Sequence, residues 1–361
     1  MSGVETAGPT LDALLRSLPA RPDARGLVER FVPPPRFAGK RFESYRPDPR
    51  YPSQAVALAR LRAAAEALHD RGLARLARRT RERLGRPRRG RGIYLDGGFG
   101  VGKTHLLAAL WNAAPGPKAY LSFDELVYTI GLVGVGRARE AFRGLRLVAI
   151  DEWELDDPGN LKLAVAFLRG ALADGIQVAA TSNAVPYALG RGGFSQKDFA
   201  AEIDELAAAF EVVRVEGEDY RHRAFAADPG HGYFVGRLEL AAAAERAGPG
   251  ALHVAFPALL GGLGRVHPIR YAALVERLDA LLVEDVTPID SLPQALRWVH
   301  FVDKLYDAAV PFAASGGLSL GELFPASFLD GPYAKKFSRC LSRLEELLGQ
   351  GIRPAETRES A

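Results

Sequence analysis

Gly97-Gly98-Phe99-Gly100-Val101-Gly102-Lys103-Thr104 stands between the β-prone run Gly92-Ile93-Tyr94-Leu95-Asp96 and the apolar Leu106-Leu107-Ala108-Ala109-Leu110. This is the G-x-x-x-x-G-K-[ST] pattern in a strand–loop–helix setting, a phosphate cradle. Glycines let backbone N–H groups close around phosphate oxygens in conformations that a Cβ blocks, and the following helix adds the positive end of its dipole. Lys103 is placed to reach the β- and γ-phosphates of a nucleoside triphosphate. Thr104 offers a hydroxyl to Mg2+, a hard cation that takes oxygen ligands. Residues Gly97 to Thr104, with the adjoining His105, form the expected nucleotide-binding set, although His105 acquires no mechanistic role from its position. The bland alternative is a glycine-rich turn that binds nothing, and the motif itself says phosphate, not hydrolysis.

Hydrolysis is argued from a second stretch. Leu147-Val148-Ala149-Ile150 is a continuous apolar run after Arg146, short enough for a strand buried on both faces of a parallel sheet, and it ends in Asp151-Glu152. That is a Walker B pattern. Asp151 is expected to hold Mg2+ through its water shell and Glu152 to take the proton of the attacking water. Acidic pairs at strand ends are also common surface features. This one follows Lys103 by 48 positions (151 − 103), room for the helix, strand and helix of a doubly wound sheet. A third apolar run, Ile176-Gln177-Val178-Ala179-Ala180, leads into Thr181-Ser182-Asn183. Ligands of open α/β sheets sit at the carboxyl ends of strands, where the Asn183 amide can sense a γ-phosphate and orient water. Its structural alternative is an Asn capping a turn.

Taken in order, Asp151-Glu152, Ala180-Thr181-Ser182-Asn183 with Pro186, and Gly217-Glu218-Asp219-Tyr220-Arg221 resemble the ZapE family of bacterial cell-division ATPases and their mitochondrial relatives, a branch of the AAA+ superfamily. Phe42-Glu43-Ser44-Tyr45-Arg46-Pro47-Asp48 is similar to that family's lead-in. Phe301-Val302-Asp303-Lys304-Leu305-Tyr306-Asp307 is similar to its Leu-Val-Asp-x-x-Tyr-Asp helix, and Arg339-Cys340-Leu341-Ser342-Arg343-Leu344 to its terminal Arg-x-x-Ser-Arg-Leu element. The resemblance spans roughly residues 36 to 348. It implies an α/β fold: an AAA+ P-loop NTPase core with a five-stranded parallel sheet, plus a mainly helical C-terminal domain. It further implies ATP, Mg2+ and a ring-like, nucleotide-dependent homo-oligomer in which a neighbour completes each site. The partner it implies is a protein, such as FtsZ at the division ring or a client of protein quality control.

The chain also departs from that pattern. Where the family carries Gly-Leu-Gln-Arg before an aromatic, this sequence reads Gly193-Phe194-Ser195-Gln196-Lys197-Asp198-Phe199. The arginine of that column is missing, and Arg191 and Arg221 are the nearest candidates for a guanidinium acting on a neighbour's phosphates. Lys197 brings charge without bidentate geometry. The missing column keeps open a nucleotide-gated adaptor that scarcely hydrolyses. A helicase-loader-like, DNA-associated ATPase is a further alternative, disfavoured by Tyr306-Asp307 and Ser342-Arg343-Leu344.

With 361 residues the chain exceeds the size at which single cores stop growing, so more than one domain is expected. Cys340 is the only cysteine, which excludes an intrachain disulfide and suits a reducing compartment. No apolar run reaches the ~18 residues of a membrane span, and Met1-Ser2-Gly3-Val4-Glu5-Thr6 lacks the order of a signal peptide. A cytoplasmic location is expected. The net charge is +4, and nine arginines crowd positions 75 to 91. Clustered cations attract polyanions, but no aromatic residues are interleaved for base stacking, so a solvated helix end and linker is the preferred reading over a nucleic-acid patch.

Along the chain, residues 1–35 read as an irregular, Pro-rich N-terminal segment with a short helix at Leu11–Leu15. Residues 36–224 read as the ATPase core with a helical lead-in whose apolar stripe is Leu58, Leu61, Ala65 and Leu68. Strands are predicted at 92–96, 118–122, 145–151, 176–182 and 211–216. Residues 225–361 read as the C-terminal domain, with helices at Ile269–Leu282 and Leu296–Ala309. No internal repeat or low-complexity tract is evident.

Overall fold

The structure, a computed structural model, describes residues 9–18, 24–69, 92–98, 100–154, 158–184, 199–218, 234–331 and 333–351. These fall into two compact units, one drawn from residues 22–227 and the other from 1–21 together with 228–361.

The first unit is built on five parallel strands: β1 (Gly92–Asp96), β2 (Lys118–Ser122), β3 (Leu147–Asp151), β4 (Gln177–Ser182) and β5 (Phe210–Arg214). Each lies within two residues of its predicted span. Their order across the sheet is β2-β3-β4-β1-β5. Helices Lys103–Ala113, Phe123–Val133, Val135–Phe142, Pro158–Ala173 and Ala200–Ala209 alternate with the strands, so β1 is buried along its whole length. That is why the inner strands β1 and β3 read as unbroken apolar runs rather than alternating ones. The order sets the tip of β4 between the tips of β3 and β1, which gathers the residues following all three into one place. The lead-in helix Pro52–His69 buries Ala57, Leu61, Ala64, Ala65 and Leu68. Leu58 packs at the margin of the same core.

Among the described residues of the 1–35 segment, two helices form. Helix Leu11–Ser17 is capped by Thr10, whose Oγ1 accepts from the Ala13 N–H at 3.3 Å. Leu11 and Leu18 are buried in the second unit, and Asp12 pairs with Arg265 at 2.5 Å. Helix Ala24–Glu29 buries Leu27 and Val28. Just beyond it, the Phe31 carbonyl accepts from the Tyr120 N–H at the free edge of β2 at 2.8 Å.

The second unit centres on a three-stranded parallel sheet, β6 (Ala251–Ala255), β7 (Ala280–Val286) and β8 (Phe312–Gly316), in that order. Helices are the larger part of it, but the sheet was not foreseen. The helix expected over Ile269–Leu282 ends at Val275, and β7 begins at Ala280. An apolar run such as Ala280-Leu281-Leu282-Val283 has no periodicity that separates buried strand from buried helix. Helices Arg237–Ala247, Phe256–Gly264, Leu292–Ala308 and Ala334–Gln350 surround the sheet. Phe256, Trp298, Phe301 and Phe337 fill the core.

The order of elements shows a recurrence that is not evident in the sequence. Helix Phe123–Val133, helix Val135–Phe142, β3, helix Pro158–Ala173 and β4 recur as helix Phe256–Gly264, the turns Pro268–Val275, β7, helix Leu292–Ala308 and β8. The offset between element starts is 133 to 135 positions (256 − 123; 280 − 147; 292 − 158; 312 − 177). Side-chain identities differ between the two stretches and element lengths differ by one or two residues, so local sequence does not display the recurrence.

Candidate functional site

The glycine-rich loop is shaped by close backbone approach. A Cβ on Gly97 would lie 2.1 Å from the Val215 carbonyl oxygen, because the Val215 N–H donates to the Asp96 carbonyl at 2.7 Å and draws the two chains together. Gly102 has φ +90°, in the left-handed region that glycine adopts without penalty, and caps helix Lys103–Ala113. The Tyr45 ring covers it, with Cε2 2.7 Å from where a Cβ would stand. Lys103, first residue of that helix, is buried and folds its ammonium back over the loop. It donates to the Gly97 carbonyl at 2.7 Å, the Gly98 carbonyl at 2.5 Å and Asn183 Oδ1 at 3.0 Å. Phe99 lies outside the described residues.

Asp151, at the tip of β3, is held by three hydroxyls from three elements. Tyr120 in the middle of β2 donates to Oδ2 at 2.9 Å, Thr104 donates to Oδ1 at 3.3 Å, and the Thr181 hydroxyl of β4 also donates to Oδ1. Burial, and then the neighbouring Glu152 charge, raise the Asp151 pKa, while the three hydroxyls oppose that rise. A buried carboxylate beside a hydroxyl at 3.3 Å is a hard oxygen donor set of the kind Mg2+ takes, and Asp151 with Thr104 fits that ion.

Glu152 follows at φ +53°, a left-handed conformation uncommon outside glycine. Two bonds fix it there. Its N–H donates to Thr181 Oγ1 at 3.0 Å, and the Trp153 N–H donates to the Thr181 carbonyl at 2.7 Å. Trp153 is fully buried, its ring 4.9 Å from Phe123 and 5.6 Å from Phe210. The indole thus anchors the turn that presents Glu152 beside the tip of β4. Strain of this sort, of order 1–3 kcal/mol, persists only where surroundings over-determine it. One residue past β4, the Asn183 amide bridges the site: Oδ1 accepts from Lys103, and Nδ2 donates to Glu154 Oε1 at 3.2 Å.

The lead-in segment braces the loop. Tyr45 donates its hydroxyl to the Val101 carbonyl at 3.2 Å, and its ring meets His105 edge-on at 5.5 Å. His105 Nε2 lies 2.9 Å from Ser44 Oγ and 3.2 Å from the Arg41 carbonyl. Burial lowers its pKa, so the ring is neutral at pH 7. His105 therefore ties helix Lys103–Ala113 to residues 41–45 on the flank of the loop. Gln54 works similarly, accepting from the Asp48 N–H and donating to the Glu216 carbonyl, both at 2.8 Å. A Cβ on Gly217 would stand 2.8 Å from its amide nitrogen and 3.1 Å from Val101 Cγ1.

The structure thus brings together Lys103, Thr104, Asp151, Glu152 and Asn183. Arg191 and Arg221 lie outside the described residues, as does the arginine run at 75–91. Tyr120, Thr181, Tyr45 and Gln54 were missed. Tyr120 and Thr181 lie on the strands that flank β3, so strand order was the signal needed to find them. Among the described residues no cluster of three or more His, Cys, Asp or Glu side chains is placed to hold a metal, and no helix is long and apolar enough to cross a membrane.

A model of the AFG1-like ATPase family matches residues 40–247 and 236–353. The cell division protein ZapE of Escherichia coli strain K12 is 26% identical over an alignment of 302 positions, covering 71% of this chain and 78% of that protein. Its counterpart in Escherichia coli O157:H7 matches to the same extent. Solved structures are similar only loosely. The crystal structure of DnaI gives a TM-score of 0.38 at 15% identity, over 52% of this chain and 93% of its own. The replication initiator DnaA bound to AMPPCP and single-stranded DNA gives 0.37 at 15%, over 88% and 96%.

Proposed function

Because the chain belongs to the AFG1-like ATPase family, we propose that it binds ATP with Mg2+ in the glycine-rich loop and hydrolyses it to ADP and phosphate. The observation that carries this reading is the meeting of Lys103 and Asn183 with the Thr104–Asp151 pair at the carboxyl ends of β1, β3 and β4, where Glu152 comes next in the chain.

In this mechanism Lys103 exchanges its loop carbonyls for β- and γ-phosphate oxygens, and the loop N–H groups take the remaining oxygens. Thr104 and Asp151 hold Mg2+, which when bound neutralises charge on the phosphates. Glu152 accepts the proton of the attacking water at its carboxylate, and the Asn183 amide orients that water. Arg191 or Arg221 reaches the phosphates of a neighbouring protomer in a ring-like, ATP-dependent homo-oligomer. Turnover moves the second unit and acts on a protein partner in the cytoplasm, in cell division at the FtsZ ring or in protein quality control.

Phosphate release and calorimetry test the chemistry. Glu152→Gln is expected to bind ATP and to lose about 10²-fold or more in turnover, the usual scale of general-base catalysis. Lys103→Ala is expected to lose binding. Undiminished turnover in Glu152→Gln removes the base, and no heat of binding for ATP with Mg2+ overturns the whole reading. A nucleotide-trapped Glu152→Gln chain used as bait in cell extract then identifies the partner.

A further inference from the structure

The repeat extends to the chemistry of the site. Asp151 and Glu152 at the tip of β3 correspond to Glu284 and Asp285 at the tip of β7, each pair 133 positions apart (284 − 151; 285 − 152). Asp285 has the same φ of +53° as Glu152. The Glu152 N–H donates to Thr181 Oγ1, and the Asp285 N–H donates to Ser315 Oγ at 3.2 Å, 134 positions on (315 − 181). Tyr120 on β2 holds Asp151, and His253 on β6 lies 3.0 Å from Glu284. Strand registers agree: Ser122 pairs with Asp151 as Ala255 pairs with Glu284.

Among the described residues, Val235 alone stands in the place of β1. Leu95 pairs in parallel with Thr181, and Val235 forms a parallel bridge to Ser315. Seven residues, 96–102, then separate Leu95 from Lys103 at the start of its helix, whereas Gly236 alone separates Val235 from Arg237 at the start of helix Arg237–Ala247. Both helices have 11 residues, and both begin with a basic residue after a glycine. The second copy lacks the length of chain that would wrap a phosphate.

Two contacts occupy what the missing loop would have served. Arg237 forms a two-pronged pair with Asp285, Nε to Oδ1 at 3.2 Å and Nη2 to Oδ2 at 2.5 Å. The Glu239 carboxylate accepts from the Gly236 N–H at 2.8 Å, so a capping carboxylate sits at the helix N-terminus that in the first copy opens onto the loop.

We infer that the second unit is a silent copy of the nucleotide-binding half: its acid pair is retained but its phosphate loop is deleted, so that neither triphosphate nor divalent cation is taken up there, and the solvent-exposed Arg237–Asp285 pair accompanies that loss without causing it. The inference rests on the proposed ATP site only for its contrast between the copies. The probes are AMPPCP with Mg2+ in calorimetry, and Mn2+ in its place for electron paramagnetic resonance, both on the full chain. Expected are one AMPPCP and one tightly bound Mn2+ per chain. Lys103→Ala should abolish both, while Arg237→Ala and Glu284→Gln keep the stoichiometry and change Kd less than about twofold. Two equivalents in the parent chain, or an equivalent that survives Lys103→Ala and disappears in Arg237→Ala or Glu284→Gln, overturns the silent copy and leaves the first site standing. No binding in the parent chain overturns the proposed ATP site, and with it the contrast.

Discussion

Lys103 Nζ donates to Asn183 Oδ1 at 3.0 Å, linking the first residue of the helix after the glycine-rich loop to the residue just past β4, 80 positions later in the chain. The same amide donates from Nδ2 to Glu154 at 3.2 Å. Asn183 is therefore a neutral spacer between a cation and an acid, and its neutrality has consequences. Asn183→Ala is expected to keep nucleotide affinity within a few-fold and to lose about 100-fold in kcat, the scale of a misplaced reacting group. Asn183→Asp keeps a partner for Lys103 but adds a negative charge facing phosphate, so it should weaken ATP binding as well. Equal behaviour of the two variants in calorimetry and phosphate release would remove the positioning role.

Tyr120 contributes one hydroxyl to Asp151. Partners that orient a metal-ligating carboxylate typically govern about 10- to 100-fold in metal affinity. Tyr120→Phe removes the hydroxyl and keeps the ring, so the fold should persist while the Mg2+ concentration for half-maximal turnover rises by that factor. Titration of Mg2+ at saturating ATP reads it. An unchanged Mg2+ requirement would mean that Thr104 and Thr181 suffice to orient the carboxylate.

Gly97 tests the loop's backbone. The atom a Cβ would meet at 2.1 Å is the Val215 carbonyl oxygen, a backbone atom fixed by the Val215–Asp96 hydrogen bond, with no flexible end to swing aside. Gly97→Ala should force β1 and the end of β5 apart, lowering stability by several kcal/mol, at the severe end of single substitutions, and abolishing nucleotide binding. Gly98, where a Cβ meets nothing within 4 Å, is the control, and Gly98→Ala should fold normally. Thermal unfolding of the pair distinguishes backbone crowding from a general intolerance of the loop.

Much of the first unit was legible because its strands are buried on both faces and its functional residues fall at strand ends, where a continuous apolar run meets a polar residue. Asp151, Glu152 and Asn183 were found that way, and Lys103 from the glycine-rich loop motif. Tyr120 and Thr181 were not, since their roles depend on β2 and β4 lying beside β3, and adjacency across a sheet leaves no mark in local sequence. His105 and Tyr45 are 60 positions apart and meet because the lead-in returns to the loop. The second sheet stayed hidden for another reason. Its strands β6 and β8, Ala251-Leu252-His253-Val254-Ala255 and Phe312-Ala313-Ala314-Ser315-Gly316, are rich in alanine and glycine, residues with little preference for strand. Packing around Phe256, Trp298 and Phe301 decided their state.

Asp303 gives the second unit a defined acid response. It is buried between helices Leu292–Ala308 and Ala334–Gln350, accepts from Arg339 Nη2 at 3.1 Å and pairs with Arg343. Burial alone would raise its pKa, but the charges of Arg343, Arg339 and His300 outweigh that and hold it well below the usual carboxylate range. A carboxyl group whose folded pKa is depressed binds fewer protons folded than unfolded, so it contributes stability above its unfolded value, near pH 4, and loses that contribution as acid protonates the folded form. Asp303→Asn removes the charge and leaves two guanidinium groups buried around an amide, a change of roughly 3–5 kcal/mol for a broken buried pair. Urea midpoints of parent and variant should therefore differ widely at pH 7 and draw together as pH falls below 4. A gap that stays constant across that range would show that the cluster stabilises the unit by packing and not by charge.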